Sequence, residues 1–382
     1  MSGLSKSRAL PVGVELRSWA MAGVLLLLWA VLAVLPATRE FFLTERNMVN
    51  LTVQVSHVAV VAVGMTLVIV IRGIDLSVGA GVALTGVVAA LLQIDHGMPA
   101  PVAIAAALAA GAVIGAWQGF WISRLAIPAF VVTLAGFNAF RGLALVMSDA
   151  RGLSPMNDDF SIVTANIPSV ETIAIIAIGI AVGLTLMQRA AARRRALELP
   201  PMSRAATLGR ITATLALGGF LLAVFGPHGM PVPVALAALA VLAGTFLSKK
   251  TRFGRHVYAI GGNPEAARLS GINVRRVTMW VYVFIGVLTG VAGVILAGRV
   301  NGVTPGNAGN LLELDVITAV VIGGTSLSGG RGSVVGSLLG AMVFGTLSNG
   351  MNLLGVDSNW QLIFKGMILM AAVSIDVLSK RK

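Results

Sequence analysis

Polar side chains inside long apolar stretches are the groups of this sequence that could do chemistry. Six of them carry a charged, amide or hydroxyl group in such a setting: Asp75, Ser77, Asn138, Arg141, Glu313 and Asp315. Because these groups are costly in hydrocarbon, they usually line a solute path, pair with one another or mark a span end. We predict a pathway or gating role for the six. Hydrogen bonding between helices or interfacial placement is the alternative, as it is for Asn349, Asn352, Gln361 and Lys365.

Signatures of enzymatic chemistry are missing from the sequence. It contains no cysteine, which excludes a disulfide, a thiolate metal site and a cysteine nucleophile. Its four histidines show no metal-ligand spacing, and no G-x-x-x-x-G-K-[ST] loop for nucleotide phosphates occurs. We therefore predict a non-catalytic chain that binds no metal and no cofactor of its own.

The segment GIDLSVG, at residues 73–79, combines glycines with a carboxylate and a hydroxyl. A helix break inside a membrane frees backbone polar groups, which protein or water must then satisfy. This segment therefore either lines a cavity or lies at the cytoplasmic interface. Arg72 is close enough in sequence to form an ion pair with Asp75, which would lower the cost of burying either charge.

A similar pattern recurs far along the chain. VIRGIDLSVGAG, from Val70, aligns without gaps with VIGGTSLSGGRG, from Val321. Paired glycine-interrupted segments are typical of broken helices in the two halves of a transporter. Chance matching in a chain with 45 glycines is the alternative.

The basic stretch from Thr251 to Arg276 contains a second kind of signal. Within it, an asparagine precedes a proline and a glutamate, then helix-forming residues, then a glycine, which predicts a helix of about two turns with an asparagine N-cap. The predicted helix comprises Asn263, Pro264, Glu265, Ala266, Ala267, Arg268, Leu269, Ser270 and Gly271. A helix this short is unstable alone. We predict that it docks on a partner protein, with a membrane-surface role as the alternative.

The amino-acid composition predicts which structural elements position these groups. The 382 residues are 57% hydrophobic and only 11% charged, against about 25% charged in soluble domains. We predict one all-α transmembrane domain over residues 1–382, a polytopic bundle of 10–12 spans with broken or re-entrant helices. Twelve apolar stretches qualify: 19–35, 49–71, 74–94, 101–122, 127–147, 170–187, 211–225, 232–247, 278–297, 314–325, 333–354 and 360–378. The tenth is short enough to be a half-helix.

The net charge of +13 is concentrated in short segments between these stretches. Cationic loops are retained in the cytoplasm, and this explains the charge better than nucleic-acid binding does. We predict basic cytoplasmic loops at 188–210 and 248–277, the second containing the 263–271 helix. With an even number of spans, both termini are cytoplasmic as well.

Two segments resemble a known family. GIDLSVG and YAIGGNPEAARLSGINV, from Tyr258, are similar to the membrane subunits of ATP-driven bacterial sugar importers, the ribose and xylose permease family. The resemblance extends over nearly the whole chain and includes IPAFVVTLAGFNAFRG and ELDVITAVVIGGTSLSGGRGS. It is strongest to the D-xylose type, since the apolar pair 211–247 follows a long arginine-rich segment.

The resemblance implies a function and partners. It implies a homodimer in the bacterial inner membrane, two cytoplasmic ATP-binding cassette ATPase subunits that use ATP and Mg, and a periplasmic sugar-binding protein. The 263–271 helix would be the coupling helix on the ATPase, and the solute a monosaccharide, D-xylose. Ribose, galactose, arabinose or another small solute is the alternative, followed by an ion-coupled secondary transporter.

Overall fold

The computed structural model describes residues 12–200 and 203–378, most of which are helical. The helices are α1 Val12–Val34, α2 Glu45–Val70, α3 Val78–Ile94, α4 Ala100–Arg124, α5 Ala129–Met147, α6 Ser169–Ala196, α7 Arg204–Phe225, α8 Val232–Lys250, α9 Arg252–Gly262, α10 Pro264–Leu269, α11 Val274–Arg299, α12 Leu312–Ile322, α13 Val334–Leu353 and α14 Ser358–Leu378. A 3₁₀ turn at Asp158–Val163 and the two-residue strands β1 Asn166–Ile167 and β2 Met230–Pro231 complete the described structure.

The predicted membrane bundle is confirmed. A helix occupies each of the twelve apolar stretches. Within the described residues, eight helices are long and apolar enough to cross a membrane: α2, α4, α5, α6, α7, α8, α11 and α13. The chain is therefore an all-α, multi-pass membrane protein.

Helix α11 lies at the centre and packs against α4, α2 and α3. Glycines permit its close approach to α4. A Cβ atom on Gly111 would lie 2.2 Å from the carbonyl oxygen of Gly286, and one on Gly115 would lie 2.1 Å from that of Tyr282. Small residues at such a crossing let two backbones touch, which is how helices associate where lipid offers no hydrophobic driving force.

Two of the apolar helices, α12 and α3, are shorter than the eight spanning helices. Helix α12 has 11 residues, or about 16 Å at 1.5 Å per residue, roughly half of the ~30 Å hydrocarbon core. Helix α3 has 17 residues and follows an extended turn at 71–77. The half-helix predicted for the tenth stretch is thus α12, entered through Leu311 with a left-handed φ of 58°.

The basic segments contain more helix than the sequence predicted. In 188–210, α6 continues to Ala196 and α7 starts at Arg204, because alanine and arginine favour helix and cations stabilise a helix C-terminus. In 248–277, α8, α9, α10 and α11 leave only short turns between them. We call the end of the bundle that carries α9 and α10 the α10 face.

The opposite face is formed by the connections after α5, α7 and α11. There β1 pairs antiparallel with β2, and Leu153 forms a bridge with Val303. The loop 300–311 on this face leads into the half-helix α12.

Candidate functional site

Asp75 and Ser77 lie in a closed polar cluster. They are 2% and 1% exposed. The backbone nitrogen and hydroxyl of Ser77 donate to Asp75 Oδ1 at 2.9 and 2.7 Å. Gln118 Nε2 donates to the same oxygen at 3.5 Å and also to Ser77 Oγ. Protein therefore encloses the carboxylate, which corresponds neither to the cavity wall nor to the wet interface expected from the sequence.

Arg72 does not form the ion pair expected with Asp75. Its Nε donates to the carbonyl oxygen of Gly261 at 2.8 Å, and its Nη2 donates to that of Gly262 at 2.6 Å. Its backbone has a left-handed φ of 68°, so the side chain leaves the turn in another direction. It binds the carbonyl groups at the C-terminus of α9 instead.

Asn138 and Arg141 lie on α5 but act separately. The amide of Asn138 is exposed and donates to Leu134 O of its own helix at 3.3 Å. Arg141 Nη1 donates to Pro305 O at 2.6 Å and to Ala308 O at 2.7 Å. Arg141 thus fixes the 300–311 loop to α5.

The two carboxylates of α12 have different surroundings. Glu313 is 7% exposed, and its Oε2 has no hydrogen-bond partner among the described residues. It packs against the first turn of α3, where a Cβ atom on Gly79 would lie 2.4 Å from that oxygen. Asp315 instead forms an ion pair with Lys365 of α14, whose Nζ lies 2.9 Å from Asp315 Oδ2. Lys365 also lies 5.2 Å from the ring centroid of Phe344.

Asp315 lies beside a cavity of about 350 Å³, which we call the polar cavity. It is lined by α2, α3, α11, the 300–311 loop and the start of α12. Apolar atoms and glycines form most of its wall; the polar side chains are His57, Thr304, Asn307, Asn310 and Asp315. A volume of this size and a mainly apolar wall with few polar groups are usual for small-molecule sites.

A second cavity, of about 190 Å³, adjoins the first. We call it the ion-pair cavity because Asp315 and Lys365 both line it, together with Arg299. His57 and Asp315 belong to the walls of both cavities. These two side chains therefore separate the two spaces.

Of the six predicted pathway residues, the structure places Asp315 in the cavity walls and the other five elsewhere. Sequence reasoning missed the positions of His57, Asn307, Asn310 and Gln118. His57 carried a usable signal, because it is an ionisable side chain inside the apolar helix α2, and its Nδ1 has no partner among the described residues. Asn307 and Asn310 lie in the 300–311 loop, and the sequence of a loop does not predict how deep in the membrane it lies.

The segment 263–271 has the geometry of a short capped helix. Asn263 Oδ1 accepts from the backbone nitrogens of Glu265 and Ala266 at 3.0 and 3.1 Å. Gly271 follows the helix with a left-handed φ of 81°, as is usual after a helix end. The remaining predicted members are Pro264, Ala267, Arg268, Leu269 and Ser270.

Most of the α10 surface is free to contact another molecule. Ala267 is buried beneath the helix, whereas Leu269 is 79% exposed. Arg268 Nη2 donates to Glu265 Oε1 at 2.6 Å, and this bond together with the carboxylate charge raises the pKa of Arg268. The helix therefore presents an exposed charged pair and an exposed leucine on the surface of the bundle.

Comparison with known proteins identifies the family. The family model described as branched-chain amino acid transport system / permease component matches residues 47–373. The Escherichia coli K12 xylose transport system permease protein XylH is 42% identical over 344 residues, 89% of this chain and 87% of XylH. The Haemophilus influenzae XylH is 42% identical over 350 residues, 91% and 92% of the two chains.

A second group of relatives is named for a different sugar, ribose. The E. coli K12 ribose import permease protein RbsC is 37% identical over 361 residues, 94% of this chain and 95% of RbsC. No solved structure matches the chain significantly. The match spans the half-helix α12, the cavities and the α10 segment described above, and the resemblance seen in the sequence is confirmed. This chain belongs to the family of ATP-binding cassette transport permeases that includes the xylose and ribose permeases.

Proposed function

We propose that the chain is the membrane-spanning subunit of an ATP-driven importer that carries D-xylose into the cytoplasm. The observation that carries this proposal is the 42% identity to xylose permeases of two organisms over about nine-tenths of each chain. The ribose permease is also similar over nearly its whole length, at 37% identity. Ribose is therefore the second candidate, ahead of galactose and arabinose.

ATP hydrolysis takes place in a partner under this proposal. The helix α10 docks on a cytoplasmic ATP-binding cassette ATPase, which binds ATP and Mg. Support comes from the exposed Leu269 and the exposed Glu265–Arg268 pair, on a helix too short to be stable without support. The proposed transport complex contains two copies of this chain, two ATPase subunits and a periplasmic binding protein.

The α10 face is then cytoplasmic, and the opposite face is periplasmic. The predicted cytoplasmic termini, including the basic tail, lie outside the described residues. The arginine-rich end of α6 supports this orientation, because positive charge accumulates on the cytoplasmic side of the inner membrane.

The polar cavity is the transit site for the sugar. A neutral monosaccharide needs hydrogen-bonding partners and no deep unpaired charge. Asn307, Asn310 and Thr304 supply amide and hydroxyl groups, and the Lys365 partner neutralises Asp315. The sugar crosses as the cavity opens alternately to the two sides of the membrane. ATP shifts the population between these two conformations because the complex binds ATP more tightly in one of them.

Reconstitution tests the proposal. The chain is incorporated in vesicles with its ATPase and binding protein, and uptake of labelled xylose, ribose, galactose and arabinose is compared. We expect ATP-dependent uptake with xylose preferred. Preference for ribose would favour the second candidate, and full uptake by this chain alone, driven by an ion gradient, would overturn the proposal.

A further inference from the structure

The two turns that share the repeated sequence pattern, 71–77 and 323–333, meet beside the junction of α9 and α10 at residues 261–263, which we call the elbow. The backbone nitrogen of Gly330 donates to the carbonyl oxygen of Val70 at 2.9 Å, which joins the second turn to the end of α2. The sequence similarity of these turns is thus accompanied by direct contact in the fold.

Arg72 connects the first turn to the elbow. Its two hydrogen bonds go to the carbonyl groups of Gly261 and Gly262, the last two residues of α9. Carbonyl groups at a helix C-terminus have no partner within the helix and carry partial negative charge, so a guanidinium is a strong cap for them. The next residue, Asn263, caps α10.

Tyr258 connects the second turn to the same elbow. Its hydroxyl donates to the carbonyl oxygen of Gly332 at 2.9 Å. Burial raises the pKa of Tyr258, so the phenol keeps its proton and remains a donor.

Close packing leaves the elbow little freedom. A Cβ atom on Gly261 would lie 1.9 Å from Val70 O and 2.5 Å from Gly330 N. The backbones of α9, the end of α2 and the second turn are therefore in direct contact.

Each turn leads into a helix that lines a cavity. The turn 71–77 precedes α3, which contributes Val82 and Gly86 to the polar cavity. The turn 323–333 precedes α13, which contributes Phe344 and Ser348 to the ion-pair cavity. A short chain of contacts thus runs from the exposed α10 to both cavities.

We propose that Arg72 and Tyr258 are positioning residues that fix the C-terminal end of α9, and through it α10, to the turns that precede α3 and α13, so that a displacement of α10 moves both helices together. Neither residue lines either cavity. The inference rests on the proposed function, because a displacement of α10 requires an ATPase that moves it.

The test uses the complete complex in vesicles and measures sugar transported per ATP hydrolysed. Arg72→Ala and Tyr258→Phe are compared with Arg255→Ala, which removes an exposed arginine of α9 that lies outside these contacts. We expect the ratio to fall about fivefold or more in the first two variants, the lower range of typical allosteric couplings, while ATP hydrolysis continues. Arg255→Ala should retain the parent ratio.

A distance measurement keeps the inference testable if Arg72→Ala assembles poorly. Because the chain has no cysteine, spin labels can be placed at Gly262→Cys, directly before α10, where a Cβ atom has no neighbour within 4 Å, and at Val335→Cys on α13. In the parent complex the distance between the labels should stay constant when ATP is trapped. In Tyr258→Phe it should change or broaden.

Two results would overturn the inference. One is an unchanged transport ratio in both Arg72→Ala and Tyr258→Phe; the other is a label distance that changes in the parent as much as in the variant. If the parent complex imports no sugar at all, the proposed function fails, and that outcome is distinct from either result.

Discussion

The ammonium group of Lys365 lies 2.9 Å from the Asp315 carboxylate and joins α14 to the half-helix α12 beside the ion-pair cavity. The two side chains are only 26% and 21% exposed, so each charge depends on the other for compensation. Removing one partner leaves an uncompensated charge, which is costlier than removing both.

Asp315→Asn and Lys365→Met should therefore each lower the unfolding temperature and the uptake rate, and the double variant should recover part of the loss. We expect a coupling free energy of about 0.5–3 kcal/mol in a double-mutant cycle. Thermal unfolding of the purified chain in detergent checks this. Strictly additive losses would show that the pair has no role of its own.

Gly261→Ala should destabilise the protein, whereas Gly262→Ala should not. A Cβ atom at Gly261 would overlap Val70 O, while one at Gly262 would have no neighbour within 4 Å. Overpacking of this kind costs about 1–3 kcal/mol, so the first variant should unfold at a lower temperature. Equal unfolding temperatures for the neighbouring variants would contradict the close contact at the elbow.

Asp75→Asn should retain more transport than Asp75→Ala. An asparagine oxygen can still accept from the Ser77 backbone nitrogen and hydroxyl, whereas alanine leaves these donors buried without a partner. Uptake by the two variants, normalised to protein in the membrane, measures the difference. Normal uptake by Asp75→Ala would leave the cluster with neither a pathway role nor a gating role.

The features that could be predicted from the sequence depend on neighbouring residues. The cap, proline and closing glycine of α10 lie within nine positions, so the local pattern contains all the information. Membrane spans are similarly local, because a run of about 20 apolar residues is sufficient to cross the hydrocarbon. The extension of α6 to Ala196 could not be predicted in this way, because positive charge marks the cytoplasmic side of a membrane and does not distinguish helix from loop.

The cavities could not be predicted because their walls come from distant elements. His57 and Asp315 are separated by 258 positions, and Lys365 reaches Asp315 from the last helix. The side chain of Arg72 turns away from Asp75 because its backbone has a left-handed φ. An arginine in the sequence does not predict that backbone conformation. Polarity identified Asp315 as important, but only packing of the helices shows which of the candidates share one space.

Glu265→Gln combined with Arg268→Gln should reduce solute-stimulated ATP hydrolysis while leaving membrane insertion intact. Both side chains are exposed and pair with each other, so the fold does not need them, whereas a docking surface does. Arg252→Gln, another exposed arginine on the same face, is the matched control. Normal ATP hydrolysis and sugar import in the double variant would show that these two side chains do not take part in docking on the ATPase.

The most direct test of the central claim is the accessibility of α10. Leu269→Cys supplies the chain's one thiol, and a membrane-impermeant maleimide is applied to intact cells and to inside-out vesicles. We predict labelling in the vesicles alone, with protection when the ATPase is bound. Labelling from the outside of intact cells, or equal labelling with and without the ATPase, would contradict the docking of α10 on a cytoplasmic ATPase.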